Sequence, residues 1–238
     1  MAVLGQPLIY MYGKLYLIST PIGNYDDITL RAIDTLKLCD IICCEEFKPA
    51  RRFLAHLQVE KKLLQINEHN EKEETPDVVN QLKSGSNIVL ISDCGTPLFS
   101  DPGNFLVRNC IEAGIEIIPV PGANSLLPAL IASGFNLKNF YYFGWLSAKK
   151  EIRKIELRRL KGINELIVLM ETPYRLLRIL EDILKEFGPG MPVSLAYKLT
   201  MPEEKIYRGT ISEVKRVVEK AGLKGEFVLV IDNRKSGK

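Results

Sequence analysis

Short apolar runs alternate along this chain with stretches in which apolar residues recur at every third or fourth position. The first pattern suits buried strands and the second amphipathic helices, so the alternation predicts an α/β protein. Lys14 to Ser19 (KLYLIS) reads as the first strand. Leu30, Ile33 and Leu36 form the apolar face of a helix, and Asp40 to Cys44 (DIICC) reads as a second buried strand. Thr75-Pro76 has the residue types of an N-cap and a first helical position, which predicts a helix from there through Leu82. Asn87 to Ser92 (NIVLIS) is the next strand, Asn104 to Ala113 a helix stopped by Gly114, and Ile115 to Pro119 a further strand.

The style changes from Phe140, where FYYFGW is aromatic and β-like. Lys149 to Lys161 then reads as a basic helix and Glu165 to Met170 as a strand. A helix opening at Thr172-Pro173 carries Leu176, Leu177, Leu180, Ile183, Leu184 and Phe187 in one stripe, which reads as core. Pro192 to Thr200 and Glu203 to Arg208 suit antiparallel strands, Thr210-x-x-Glu213 is a capping box, and Glu226 to Ile231 closes a second, mixed sheet. The expected organisation is two α/β domains, 14–126 and 127–233.

Composition excludes disorder and fibrous classes: 46% of the 238 residues are hydrophobic and 26% charged. No apolar run is long enough to span a bilayer, and the start MAVLGQPLIYMYGK has no basic segment ahead of its apolar residues, so a cytoplasmic chain without membrane partners is expected. A formal charge of +3 is too mild to imply a polyanion by itself. The five cysteines, Cys39, Cys43, Cys44, Cys94 and Cys110, form no C-x-x-C pair and have no histidine at metal spacing, which predicts buried reduced thiols and no metal. His56 and His69 read as surface or capping residues.

Three Gly/Pro-rich loops follow predicted strands: TPIGN at 20–24, SDCGTPLFSDPG at 92–103 and PVPGANS at 119–125. Loops at the carboxyl ends of strands in an α/β sheet converge on the binding crevice. None carries G-x-x-x-x-G-K-[ST] or G-x-G-x-x-G, the signatures of triphosphate and dinucleotide sites. Their glycines permit close backbone approach and their prolines stiffen them, which suits an adenosyl ligand gripped mostly by main chain; plain tight turns would use the same residues.

TPIGNYDDITLRA, ISDCGTPLFSDPGNFLVR and PVPGANSLLPALIASG, in this order and spacing, resemble the tetrapyrrole methylase superfamily, and within it the branch that 2'-O-methylates a cytidine of small-subunit ribosomal RNA. The resemblance runs from about Lys14 to Asn233 and implies two α/β domains, S-adenosylmethionine in the cleft between them, and a homodimer. Transferred residue by residue, it implies cofactor contacts at Pro21, Ile22 and Gly23; at Ser92, Asp93, Cys94, Gly95, Thr96, Pro97, Leu98 and Ser100; at Asn124 and Ser125; and at Met170, Glu171 and Ala196. A tetrapyrrole or other small-molecule methylase and a non-catalytic RNA-binding paralogue are the alternatives.

Methylating a ribose hydroxyl rewards orientation and a base. The candidate bases are Glu45 and Glu46 after the second strand and Asp93 and Asp101 in the long loop, with Glu45 and Asp101 placed first. For the RNA partner, the segment 138–161 is rich in lysine and arginine, Lys149, Lys150 and Arg153 among them, and follows the aromatic run that ends at Trp145. Basic side chains neutralise phosphates and aromatic faces stack on bases, although a solvated amphipathic helix would look similar. Lys48, Arg51 and Arg52 form a second basic patch. Where relatives carry A-E-D-T-R, this chain has Cys44-Glu45-Glu46-Phe47-Lys48; E-S-P-H-R becomes Glu171-Thr172-Pro173-Tyr174-Arg175, and R-E-L-T becomes Tyr197-Lys198-Leu199-Thr200, which inverts a charge.

Overall fold

The structure, a computed structural model, describes residues 12–99 and 101–235. The chain divides into two compact units between Asn124 and Ser125. In the first unit, β1 (Leu15–Ile18), α1 (Leu30–Leu38), β2 (Ile41–Cys44), α2 (Phe47–His56), β3 (Lys62–Gln65), α3 (Glu71–Lys83), β4 (Ile88–Ile91), α4 (Asn104–Glu112) and β5 (Ile117–Val120) follow in order. Their strands form one sheet in the order β3-β2-β4-β1-β5, every pairing parallel. Strands β2 and β4 are buried throughout, as expected where helices cover both faces of a parallel sheet. One apolar cluster around Ile18, Ile42 and Phe53 and another around Leu15, Cys43 and Leu106 form the core.

The second unit runs through α5 (Leu126–Ser133), β6 (Phe140–Gly144), α6 (Lys150–Lys161), β7 (Leu166–Glu171), α7 (Leu176–Phe187), β8 (Pro192–Tyr197), β9 (Lys205–Thr210), α8 (Ile211–Ala221) and β10 (Phe227–Asp232). Its sheet, ordered β6-β7-β10-β8-β9, is mixed: β6 and β7 are parallel, the other neighbours antiparallel. The capping box at Thr210 and Glu213 is present in both directions. The α/β class with two units of alternating strands and helices is therefore as the periodicity predicts.

Several local expectations need correction. Helix α3 starts at Glu71, five residues before Pro76, and the Thr75 hydroxyl donates to the Glu71 carbonyl at 2.6 Å instead of capping. A turn in which Asn67 and Asn70 bond each other's backbone N–H groups sets the earlier start. Glu71 is fixed there because its carboxylate accepts from the N–H groups of Phe105 and Leu106 at 2.7 and 3.0 Å, capping α4 from another helix. Strand β3 carries no sequence signal: KLLQ is a short, largely half-exposed edge strand. A 3-10 turn, Pro173–Arg175, precedes α7, whose buried stripe includes Ile179 and leaves Leu177 exposed. Of the cysteines, Cys39, Cys43, Cys44 and Cys110 are buried, and burial raises each thiol pKa; Cys94, in the loop after β4, is exposed.

Candidate methyltransferase site

Strands β4, β1 and β5 are adjacent and parallel, so the loops after them leave the same edge of the sheet. Hydrogen bonds stitch the three loops together. Thr20 N donates to Gly95 O at 2.8 Å and Gly95 N to Thr20 O at 3.1 Å, joining the first loop to the second. The hydroxyls of Ser19 and Thr96 lie 2.9 Å apart, and that of Thr96 also donates to Ala123 O at 3.4 Å, which brings in the third. The buried Ser92 hydroxyl donates to Gly95 O at 3.2 Å and closes the turn on itself.

Two backbone features show why these residue types are needed. A Cβ on Gly122 would stand 3.0 Å from Ser19 Cβ and 3.1 Å from Ser19 O, so a side chain there would require the third loop or the end of β1 to give by a few tenths of an ångström. Leu98 is held at φ +70°, a conformation costly for a branched residue and one that concentrates at ligand sites. Beside these loops lies an open depression of about 400 Å³, within the usual size range of small-molecule sites.

Of the sequence-predicted contacts, Thr96, Pro97, Leu98 and Asn124 line the depression. Ile22 lies against Gly95 of the second loop, since a Cβ on Gly95 would stand 3.4 Å from its Cγ2. Pro21 and Ser92 are buried under the loops, Gly23, Asp93 and Cys94 are exposed, and Ser100 lies outside the described residues. Pro119 and Gly122 of the third predicted loop line the depression as well, whereas Ser19, at the end of β1 just before the first predicted loop, also lines it and was missed. In the second unit Ser125 precedes α5, while Met170 and Ala196 pair with Val228 from opposite sides and so share one row across the sheet. The Glu171 side chain is fully buried, accepting from Leu146 N at 3.1 Å and pairing with Arg175 at 3.1 Å.

The carboxylates at the first unit's loops perturb one another. Burial raises the pKa of Asp101 to about 6, helped by the charge of Asp93 and opposed by a hydrogen bond with Ser92. Glu45 is raised too, by burial and then by Asp93 and Asp101. Asp93, exposed overall, is raised by the partial desolvation of its carboxylate although it accepts from Glu46 N at 3.3 Å. Among the described residues no group of His, Cys, Asp and Glu side chains is arranged to hold a metal ion.

The basic residues separate into two sets. Lys48, Arg51 and Arg52 are exposed on α2, where Arg52 Nε donates to the Tyr25 hydroxyl at 3.1 Å, tying the helix to the turn after the first loop. Lys149 and Lys150 are exposed at the start of α6. Arg153 cannot meet a phosphate: it is 1% exposed, pairs with Asp182 at 2.8 Å and donates to Ser147 O and Ala148 O. The charge inversion at Lys198 is met locally, since its Nζ lies 3.1 Å from Glu203.

A parallel sheet whose carboxyl-end Gly/Pro loops interlock around one depression, followed by a mixed-sheet unit, defines a methylase of a particular class. Residues 14–215 match the family described as Tetrapyrrole (Corrin/Porphyrin) Methylases, and the chain belongs to that family of S-adenosylmethionine-dependent methyltransferases. It is 40% identical over 220 residues to the Bacillus subtilis protein named Ribosomal RNA small subunit methyltransferase I, covering 92% of this chain and 75% of that one. The protein of the same name from Leptospira biflexa is 41% identical over 226 residues, covering 94% of this chain and 92% of that one. Uroporphyrin-III-C-methyltransferase of Thermus thermophilus shares the fold, with a TM-score of 0.64 at 22% identity over 93% of this chain and 94% of that one.

Proposed function

We propose that this protein transfers a methyl group from S-adenosylmethionine to the ribose 2'-hydroxyl of a cytidine in small-subunit ribosomal RNA. The observation that carries the reading is the 40% identity, over nearly the whole chain, to relatives named for small-subunit ribosomal RNA methylation. Two solved uroporphyrin-III C-methyltransferase structures of this fold are 22% and 19% identical, a distance at which they speak for the fold alone.

The depression suits the cofactor chemically: prolines and leucines offer apolar walls, Ser19, Thr96 and Asn124 offer hydrogen bonds, and Gly122 keeps the floor open. When bound, S-adenosylmethionine supplies an electrophilic methyl group. The interlocked loops orient it at little entropic cost, because their backbone is already fixed. The base that takes the hydroxyl proton comes from the carboxylate cluster Glu45, Asp93 and Asp101 at these loops, with the half-buried Asp101, whose pKa is raised to about 6, placed first. Lys48, Arg51, Lys149 and Lys150 meet the RNA backbone. A cytoplasmic location and a homodimer accompany this reading, and light scattering of the purified chain tests the second.

Purified protein incubated with labelled S-adenosylmethionine and small ribosomal subunits, or bare ribosomal RNA, from a strain lacking it is expected to label one ribose 2'-oxygen. Cofactor binding without transfer to either substrate would sink the reading. Gly122→Ala is expected to weaken cofactor binding, measured by calorimetry, through an overpacking cost of about 1–3 kcal/mol. Affinity equal to that of the parent protein would show that Ser19 yields to the added Cβ without moving the third loop.

A further inference from the structure

The segment between β6 and α6, Trp145 to Lys149, is held to an unusual degree by charged side chains. Leu146 N donates to Glu171 at 3.1 Å and Ser147 N to Glu156 at 2.8 Å. Arg175 Nη2 donates to Leu146 O at 2.9 Å and Ser147 O at 3.0 Å, and Arg153 Nη1 donates to Ser147 O and Ala148 O, each at 2.9 Å. The two arginines are themselves paired, with Glu171 and Asp182. Side-chain exposures of 1% for Arg153 and 0% for Glu171 place these groups inside the unit.

Buried ion pairs give little net stability compared with apolar packing, so their concentration on one short loop calls for another reason. What the loop carries supplies it. Trp145 is 41% exposed, although a tryptophan buries more apolar surface than any other side chain when it is packed inside. Directly after it come the exposed Lys149 and Lys150, then the exposed Lys154, Arg158 and Arg159 of α6. An aromatic ring beside a rigid backbone segment, with exposed cations following it along the chain, matches the chemistry of an unpaired base on a phosphate chain. The ring stacks, the cations neutralise, and little conformational entropy is lost on binding.

We propose that Trp145 is a base-stacking residue for the RNA substrate, its ring presented by the Glu171–Arg175 and Arg153–Asp182 pairs acting on the loop backbone. The inference rests on the ribosomal RNA reading and deepens it. It adds an RNA contact that reads an exposed base, beyond the lysines and arginines that meet phosphates.

Trp145 is the one tryptophan of the chain, so its emission reports on this site without a label. Titration with a single-stranded oligoribonucleotide from the methylated region is expected to quench that emission saturably, whereas inorganic polyphosphate is expected to compete for the cations without quenching. Trp145→Ala is expected to raise KM for RNA by roughly 5- to 150-fold, the range for one lost stacked base, with kcat at saturating RNA little moved. Trp145→Phe, which keeps an aromatic face, is expected to recover most of that loss and guards against a folding artefact. Methylated RNA with unchanged emission, or equal quenching by polyphosphate, would overturn the stacking role and leave the ribosomal RNA reading standing. Absence of any methyl transfer to RNA would remove both.

Discussion

Asp101→Asn is expected to lower kcat for methyl transfer by about 10²- to 10⁴-fold, the usual contribution of a positioned base, while S-adenosylmethionine still binds. Burial lifts the Asp101 pKa to about 6, so the carboxylate is charged at neutral pH yet basic enough to accept a proton. The parent enzyme's kcat should therefore rise with pH through about 6 and then level off, and the Asn variant should lose that limb. The stability effect has the opposite sense. A carboxyl whose folded pKa lies above its unfolded value binds its proton more tightly in the native state, so its contribution favours folding as pH falls toward 6 and below. Asn, which carries no charge, should leave the melting temperature equal or higher above pH 6. Activity within tenfold of the parent would move the role to Glu45 or Asp93, whose carboxyls are raised in the same cluster.

Arg153→Met should destabilise the second unit strongly, costing about 3–5 kcal/mol, as removal of one partner from a buried ion pair does. It would leave Asp182 without its cation and the Ser147 and Ala148 carbonyls without their donor. Lys150→Met, three positions away on the exposed side of α6, should change urea unfolding by less than about 0.5 kcal/mol. Replacing both members, as Arg153→Met with Asp182→Leu, should recover only part of the loss, because the loop carbonyls still lack a donor. Equal unfolding midpoints for Arg153→Met and the parent would mean that the buried network contributes nothing to the fold.

The fate of Arg153 shows where reading along a chain stops. Counted by charge, it belongs with Lys149 and Lys150 in a basic segment. Counted by helical position, it lies four and seven residues before Leu157 and Leu160, the buried face of α6, and that spacing was the available signal of its burial. Glu171 is similar. It was legible as part of a motif, but its role as an internal pin depends on Leu146 and Arg175, and one of these is brought to it only by strand pairing. The N-terminus of α4 carries no side-chain cap of its own, since Gly103 precedes it, and only the fold supplies Glu71 from α3.

What the sequence alone determined was local or carried by long motifs. Apolar periodicity placed most strands and helices, Thr210 and Glu213 declared their cap, and the SDCGTPLFSDPG run marked the central loop, because each of these depends on residues within a turn or two of one another. The tertiary structure decided the sheet order β3-β2-β4-β1-β5, which sets three loops from distant parts of the chain side by side. It also decided which carboxylate is raised, which arginine is interior, and that Gly122 must lie against Ser19. Burial and close approach are set by neighbours far apart in sequence, and no window along the chain contains both partners.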